Sequence, residues 1–297
     1  MKMKTSWLIA ALLAAAAARA EDTKEPAEVL RQRLAERLAT KPEGAVAAKP
    51  AASPAKPAPA KPPRPAKPAK PAHWGYTGDI GPDRWAELAP ENKLCAVGTR
   101  QSPIDIRDGI AVDLEKIAFD YRASGFTVQD TGHTVQVNVA PGSGLTVMGR
   151  RYELVQFHFH RPSEERVNGR QFDMVAHLEH KDAQGRLAIV AVLLERGPDD
   201  KPQPLIQTVW ANLPLERGDA LAAQVQIDLN QLLPANRGYY TYMGSQTTPP
   251  CQEGVLWMVM RQPVQLTAQQ IAVFARLYPM NARPLQAGSG RLIKESQ

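Results

Sequence analysis

The segment Gln156-Phe157-His158-Phe159-His160 constrains this chain more than any other feature of its sequence. In a β-strand successive side chains point to opposite faces, so His158 and His160 share one face and the two phenylalanines share the other. His177 supplies a third imidazole from further along the chain. Three neutral imidazoles suit a zinc ion, and three protein ligands leave a fourth tetrahedral position open, which is typical of catalytic rather than structural zinc.

A tight turn predicts how His177 reaches the other two histidines. Asn168-Gly169 lies between apolar runs, and such a pair is the strongest short signal for a two-residue hairpin loop. Counting back from this loop places His160 opposite His177 with all three histidines on one face, although Pro162 predicts some irregularity nearby. The alternative is a partly buried His-x-His pair that only packs or forms hydrogen bonds.

The same register makes further predictions about this face. Val175 and Glu179 lie two residues to either side of His177, so they share its face. Glu179 falls opposite His158, which aims an acidic side chain into the predicted metal cavity. His180 has the opposite parity, and we expect it to serve the structure rather than the metal.

The first 72 residues predict an exported protein with a spacer before its folded domain. Met1–Ala20 has a basic start, an apolar run and an A-x-A cleavage site, the pattern of a secretory signal peptide; an uncleaved anchor is the alternative. Residues 21–41 form a short charged segment with leucines at helical spacing, and residues 42–72 form an Ala/Pro/Lys-rich linker. We therefore expect a periplasmic protein whose domain spans residues 73–297.

The net charge of +6 does not indicate a nucleic-acid-binding protein. Residues 1–72 hold 14 Lys and Arg against 6 Asp and Glu, so the positive excess lies before the domain. The domain itself is slightly acidic and gives no global case for binding nucleic acid. The linker lysines allow a weak contact with the cell envelope, and the charged segment allows a homodimer, although a plain spacer is the simpler interpretation.

Export also bears on the two cysteines, Cys95 and Cys251. In an oxidising compartment two distant cysteines most simply form one disulfide, and two buried thiols are the alternative. By the loop-entropy model, closing so long a loop contributes about 4 kcal/mol to stability.

Residues 73–297 have the pattern of one β-dominated domain with few helices. Short alternating or apolar runs, separated by turns rich in Gly, Pro and Asn, predict strands. These strands include Ile117–Tyr121, Thr134–Val139, Tyr152–His160, Gln171–His180, Leu187–Leu194 and Val255–Met260. Two segments predict helices, Pro204–Leu213 and Thr267–Tyr278, the second with Thr267 as its N-cap.

Eight short motifs follow one another along this domain. They are His73-Trp74-Gly75-Tyr76, Gln101-Ser102-Pro103-Ile104-Asp105-Ile106, Thr131-Gly132-His133, Gln156 to His160, Pro162-Ser163-Glu164, Ala176-His177-Leu178, Gly244-Ser245-Gln246-Thr247-Thr248-Pro249-Pro250 and Arg283-Pro284. In this order they closely resemble the α-class carbonic anhydrases, particularly the exported bacterial ones. The resemblance implies a mainly β (α+β) fold, with a twisted, mostly antiparallel central sheet of about ten strands and a few peripheral short helices. It also implies a Cys95–Cys251 disulfide.

The resemblance assigns a metal site and a substrate. His158, His160 and His177 are similar to the family's zinc ligands, and Gln156 is similar to the residue that holds the far nitrogen of His158. Zinc would lower the pKa of a water ligand to about 7, and the resulting hydroxide would attack carbon dioxide to give bicarbonate.

Further roles follow from the same resemblance. Thr247 is similar to the threonine that accepts a hydrogen bond from the hydroxide and donates one to Glu164, and Thr248 would lie at the substrate entrance. His133 resembles the proton shuttle, for which an ordinary pKa near 6.5 is suited. Tyr76 would organise water in the cavity.

Three positions depart from the pattern of the family. Val175 stands where the family usually has a glutamate that holds the other nitrogen of the third histidine, and losing such a partner typically costs about 10–100-fold in metal affinity or activity. Glu179 and Gln246 stand where the carbon dioxide pocket usually has a valine and a leucine. The other walls of this pocket remain apolar, namely Ile189, Val255 and Trp257.

Two arrangements of Glu179 are open at this point: a hydrogen bond with Gln246, or direct binding to zinc that closes the site. Either would slow the hydration of carbon dioxide or redirect the site. The leading expectation is therefore a zinc-dependent carbonic anhydrase with reduced or altered activity. The alternatives are a non-catalytic zinc-binding relative and a zinc hydrolase acting on small esters.

Overall fold

The structure, a computed structural model, describes residues 73–297. The predicted signal peptide, charged segment and linker (residues 1–20, 21–41 and 42–72) lie outside the described residues. Within the described part of the chain, no helix combines the length and the apolar character that crossing a membrane would require.

Strands dominate residues 73–297. In chain order they are β1 (Asp105–Ile106), β2 (Ile110–Val112), β3 (Ala118–Asp120), β4 (Ser124–Asp130), β5 (Val135–Val139), β6 (Gly144–Val147), β7 (Arg150–His160), β8 (Arg166–Val167), β9 (Arg170–Gln171), β10 (Met174–Lys181), β11 (Leu187–Arg196), β12 (Ala220–Ile227), β13 (Tyr239–Ser245), β14 (Glu253–Met260), β15 (Val264–Leu266) and β16 (Lys294–Ser296). All six predicted strands are present within a few residues of their expected ends.

Thirteen of these strands form one large twisted sheet, and β1, β8 and β9 form a separate small one. The main path of the large sheet has ten strands in the order β12-β4-β5-β7-β10-β11-β14-β13-β16-β2. Neighbours along this path are antiparallel except at β11–β14 and β16–β2, which are parallel. This arrangement confirms the mostly antiparallel sheet of about ten strands that the resemblance implies.

The two predicted helices are also present. The α-helices of the described residues are α1 (Trp85–Leu88), α2 (Leu94–Val97), α3 (Pro204–Ala211) and α4 (Ala268–Leu277), and 3-10 turns cover Gly78–Ile80, Pro82–Arg84, Pro90–Lys93 and Leu229–Leu232. Thr267 caps α4 through a capping box with Gln270. The two four-residue helices near the start of the domain escaped prediction because they are too short to show a helical period.

The alternation of β7 separates the two faces of the sheet as predicted. Phe157 and Phe159 are fully buried in the larger hydrophobic core. The Phe159 ring packs 5.0 Å from Trp210 of α3 and 6.0 Å from Phe274 of α4, measured between ring centroids. Burying each phenylalanine contributes roughly 2 kcal/mol, so the histidines on the opposite face extend from a strand that is firmly held.

The predicted Asn-Gly turn is present between β8 and β9. Asn168 and Gly169 both adopt positive φ angles, 50° and 81°, as a two-residue hairpin loop of this type requires. Val167 pairs with Arg170 across the loop.

Beyond this turn the predicted register is wrong by two residues. His177 lies opposite His158 and Glu179 opposite Gln156, instead of the predicted His160 and His158. An even offset leaves the parity of the side chains unchanged, so the three histidines still share one face.

Two additional residues on the first arm of the hairpin cause this shift. Five residues, 161–165, separate the paired positions His160 and Arg166, whereas three residues, 172–174, separate their partners. The longer arm leaves the large sheet, and β8 pairs with β1 instead. The Pro162 in this arm, which predicted an irregularity, also lacks the N–H that a continuous ladder would need.

Cys95 and Cys251 form the predicted disulfide, with their Cα atoms 5.1 Å apart and 156 positions between them in the chain. Cys95 belongs to α2, and Cys251 ends the loop that carries Thr247 and Thr248. The backbone N–H of Cys251 donates to the carbonyl of Thr248 at 2.8 Å. The bond therefore ties the start of the domain to the threonine loop.

We predict that the double variant Cys95→Ala, Cys251→Ala loses about 2–5 kcal/mol of free energy of unfolding, because the unfolded chain is released from a long closed loop. Urea unfolding of the variant and of the oxidised protein measures the difference. Reduced wild-type protein is the matched control and should unfold at the same urea concentration as the variant. An unchanged midpoint in both would contradict the prediction.

Candidate active site

Three histidine side chains meet on one face of the sheet. β7 contributes His158 and His160, and the neighbouring β10 contributes His177. Their ring centroids are 4.8 to 5.5 Å apart. One nitrogen from each ring lies within 4.8 Å of the others, as expected for side chains that could hold a single ion.

On the β7 histidines, hydrogen bonds decide which nitrogen can face an ion. His158 Nδ1 lies 3.0 Å from Gln156 Oε1, and His160 Nδ1 lies 2.7 Å from the carbonyl oxygen of Asn281. Both partners are oxygens that accept, so each Nδ1 carries the proton. The Nε2 atoms of these two rings are therefore bare and available to a metal.

In His177 the nitrogen with a protein partner is Nε2 instead of Nδ1. Its Nε2 lies 3.2 Å from the carboxylate of Glu165, which accepts the proton on that nitrogen. Its Nδ1 is then the bare nitrogen that faces the other two histidines. The three rings together present two Nε2 atoms and one Nδ1 atom.

The surroundings of these nitrogens fit a metal ion. His160 Nε2 is buried, and within the described residues it has no hydrogen-bond partner, which is costly unless an ion takes that place. Burial, with the nearby His177, lowers the pKa of His158 to about 3 and that of His160 well below its ordinary value. Both rings are thus neutral at pH 7, as metal ligation requires.

The third ring has a different electrostatic environment. Burial lowers the pKa of His177, but the carboxylates of Glu165 and Glu164 raise it, and the net pKa lies above the ordinary value. Of the three histidines, His177 therefore has the most negatively charged surroundings.

Glu164 lies buried beside the metal-binding face. One of its oxygens accepts a hydrogen bond of 2.7 Å from the backbone N–H of Arg283. Burial is the main cause that raises the Glu164 pKa to about 7, while the Thr247 hydroxyl is among the groups that lower it. Oε2 makes no hydrogen bond of standard geometry to the described residues, so the Thr247 contact is a loose one.

The threonine loop joins β13 to β14. Thr247 is buried, Thr248 and Gln246 are half-buried, and the backbone N–H of Gln246 donates to the carbonyl of Gln252 at 3.0 Å. This cross-loop bond and the disulfide at Cys251 hold the two threonines at the edge of the site.

Apolar side chains line the site next to His177. Ile189, Val255 and Trp257 are all buried and belong to one hydrophobic cluster. The Trp257 ring lies 5.0 Å from the ring of His177. Trp257 Nε1 donates to the carbonyl of Ser245, so the position of this indole is fixed.

The structure gives Glu179 a partner different from the one that we expected. Gln156 Nε2 donates a hydrogen bond to the Glu179 carboxylate, in place of the expected Gln246. Since Gln156 Oε1 also accepts from His158, a chain of hydrogen bonds runs from Glu179 through Gln156 to the imidazole. Among the described residues, the cluster of ligating atoms contains the three histidines without Glu179, which speaks against a fourth protein ligand.

His133 lies in the turn between β4 and β5, close to the start of the domain. Its ring stacks on Trp74 at 3.8 Å, and the His73 ring is 5.4 Å away. Burial, followed by the positive charges of His73 and Arg217, lowers the His133 pKa from its ordinary value.

Two other predicted residues are placed clearly. Tyr76 is half-buried among aromatic rings, and burial followed by the charge of Glu164 raises its pKa well above the ordinary value. His180 is buried on the other face, where its Nε2 lies 2.8 Å from the Tyr121 hydroxyl. It serves the structure, as its parity predicts.

Sequence reasoning missed two residues of the site, Asn281 and Glu165. The carbonyl of Asn281 holds His160, and its side-chain amide donates to the carbonyl oxygens of His133 and Phe159. Asn281 is separated from these partners by more than a hundred residues, so only its position two residues before Arg283-Pro284 signalled it. Glu165 directly follows the Glu164 motif but belongs to none of the eight motifs.

Comparisons with known proteins agree with this geometry. A family model described as eukaryotic-type carbonic anhydrase matches residues 80–297. A carbonic anhydrase of Nostoc sp. is 41% identical over 230 residues, which cover 75% of this chain and 86% of that protein.

Solved structures give the same picture. A hyperthermostable carbonic anhydrase identified from an active hydrothermal vent chimney has a TM-score of 0.73 and 41% identity, covering 76% of this chain and 100% of its own. An α-carbonic anhydrase from Thermovibrio ammonificans, in complex with the inhibitor sulfanilamide, has a TM-score of 0.72 and 39% identity, covering 76% and 99%.

Proposed function

This chain belongs to the eukaryotic-type carbonic anhydrase family, and on that premise we propose that it catalyses the zinc-dependent, reversible hydration of carbon dioxide to bicarbonate and a proton. The observation that carries the proposal is the set of three bare imidazole nitrogens, each directed by a protein partner on the far side of its ring. His158, His160 and His177 would hold the ion and leave its fourth position open. When bound, zinc supplies a water whose pKa is lowered to about 7 and which is a nucleophile at neutral pH.

Thr247 and Glu164 would orient that nucleophile. In its ionised form Glu164 only accepts hydrogen bonds, so the Thr247 hydroxyl would then donate to Glu164 and keep its oxygen as an acceptor. The backbone N–H of Arg283 already fixes the position of Glu164. Thr247 would thus accept a hydrogen bond from one defined direction and so orient the nucleophile toward the substrate. Thr248, one residue further along, would lie at the substrate entrance.

The apolar side chains beside His177 support carbon dioxide as the substrate. Ile189, Val255 and Trp257 offer this gas a dry wall without hydrogen-bonding groups. Glu179 accepts a hydrogen bond from Gln156, but its half-buried carboxylate lies on the same face and would attract water there. The polar Glu179 and Gln246 therefore support a reduced rate of hydration.

His133 would carry the proton from the site to the solvent. Its lowered pKa keeps the ring neutral at pH 7, so it can accept a proton and release it readily to buffer. Tyr76, whose raised pKa keeps its hydroxyl protonated, would order water between His133 and the metal.

The periplasm is the compartment that we propose for this reaction. The Cys95–Cys251 disulfide supports it, because such bonds persist in oxidising compartments. The signal peptide predicted for residues 1–20 points the same way.

A non-catalytic zinc-binding protein is the second candidate function. The polar residues Glu179 and Gln246 in the substrate wall favour it, because they oppose the entry of a weakly polar gas. Metal binding alone does not distinguish it from an enzyme, so turnover and zinc content must be measured on the same sample.

We predict about one zinc per chain and a hydration rate above buffer that a sulfonamide inhibits, measured by elemental analysis and stopped-flow kinetics on purified protein. His160→Ala should lose both, because it removes a ligand. The control His180→Gln alters a buried histidine on the other face and should keep the zinc. Zinc at one per chain without turnover would reject the enzyme in favour of the second candidate, and absence of zinc would reject both.

We predict that His133→Ala lowers kcat by at least about 10-fold in dilute buffer, because proton transfer then lacks its carrier. Concentrated imidazole buffer should restore the rate. In the wild type the limb of the pH profile that reports this ring should lie below pH 6.5, since its pKa is lowered. His73→Ala removes a positive neighbour and should move that limb to higher pH. An unchanged kcat in His133→Ala would remove His133 from the mechanism.

We predict that the double variant Glu179→Val, Gln246→Leu hydrates carbon dioxide faster than the wild type at unchanged zinc content, because the wall becomes apolar. The single variant Gln246→Leu is the control, since it leaves the hydrogen bond between Glu179 and Gln156 in place. Equal rates in the wild type and the double variant would show that Glu179 does not obstruct the substrate.

A further inference from the structure

Glu165 is a buried acid whose side chain contacts His177. Its side chain is shielded from solvent, and both of its oxygens lie 3.2 Å from His177 Nε2. Among the described residues, this histidine is the hydrogen-bond partner of the carboxylate, and Oε1 has no hydrogen bond that meets the usual angles. The acid is therefore devoted to a single imidazole.

Keeping a carboxylate in this place is expensive. A buried charge is costly unless it is paired, and among the described residues His177 is the one possible charged partner of Glu165, with no arginine or lysine within salt-bridge distance. Its structural neighbours offer little compensation, because the adjoining cluster of Val175, Leu193 and Trp257 is apolar. Such an acid is retained where it has a function in the site.

Val175 shows which function this is. It lies opposite His160 and two residues before His177, where the resemblance leads one to expect a glutamate that holds the third histidine. The valine is fully buried and cannot accept a hydrogen bond. The carboxylate that is missing from β10 is thus present on another element, the arm that follows β7.

The backbone around Glu165 is held well enough to place its side chain. The Ser163 hydroxyl donates to the carbonyl of Glu165 at 2.8 Å, and the Ser163 backbone N–H donates to the carbonyl of Phe172. The next residue, Arg166, begins β8 and donates its backbone N–H to the carbonyl of Ile104. This is the same arm whose two additional residues shift the register of the histidines.

We propose that Glu165 is the positioning residue of His177 and replaces the acid that Val175 has displaced. Its carboxylate accepts the Nε2–H, which fixes the orientation of the ring and leaves Nδ1 bare toward the metal. The proposal rests on the proposed metal site and assigns its third ligand a partner from a different element of the fold.

The test is the zinc affinity of the full chain, measured by competition with a chelator. We expect Glu165→Ala to weaken zinc binding by about 10–100-fold. Glu165→Gln, which keeps the shape and a neutral acceptor oxygen, should fall between Glu165→Ala and the wild type. Asp182→Asn is the matched control: Asp182 directly follows β10 and its carboxylate is also buried, but its partners are Arg150 and Arg186 instead of a histidine. This variant should bind zinc like the wild type.

Two further measurements separate positioning from simple packing. The melting temperature of the metal-free protein should stay the same in Glu165→Gln, because this variant keeps the shape and an acceptor for the Nε2–H of His177. The visible absorption spectrum of the cobalt-substituted protein should change, because His177 is free to turn. A wild-type zinc affinity in both Glu165 variants would overturn the proposal, and so would a loss of affinity that only parallels a loss of folding. A wild-type protein that binds no zinc would instead refute the proposed function.

Discussion

The alternation of side chains along β7 is the constraint on which the rest of the site depends. Phe157 and Phe159 are buried in the core, where Phe159 packs against helices α3 and α4, and this leaves His158 and His160 on the opposite face. Moving the strand by one residue would exchange the two faces and expose the phenylalanines. The burial of the two phenylalanines, which stabilises the sheet, thus also fixes the face on which the histidines lie.

Hydrogen bonds to the far side of each imidazole give this geometry the form of a site that could hold a metal ion. An amide oxygen of Gln156, a backbone carbonyl and a carboxylate each take one nitrogen, and the remaining three nitrogens converge. The partners come from the same strand, from a segment after α4, and from the arm after β7. The neutral rings of His158 and His160 and the orientation of all three imidazoles are therefore set by tertiary contacts, although the histidines themselves lie close together in the sequence.

Two acidic residues join the hydrogen bonds behind the histidines. Glu179 extends the hydrogen-bond chain behind His158, and Glu165 holds His177. Both add negative charge around the ligands, which favours a dication. Glu179 also borders the wall formed by Ile189, Val255 and Trp257, so one substitution acts on two properties. The Glu179 side chain would thus favour binding of the metal ion and at the same time oppose the entry of carbon dioxide.

The sequence by itself determined the strands, the two longer helices and the face on which the histidines lie, because side-chain alternation, helical period and turn chemistry are local. It also indicated the disulfide, because an exported chain with two cysteines has one possible pair. It could not determine the register across the hairpin, since five residues on one arm oppose three on the other. It also missed Asn281 and Glu165, whose roles depend on contacts outside the local pattern. Which nitrogen of each histidine faces the metal was decided only by the tertiary structure, because the partner that fixes each proton is brought there by folding.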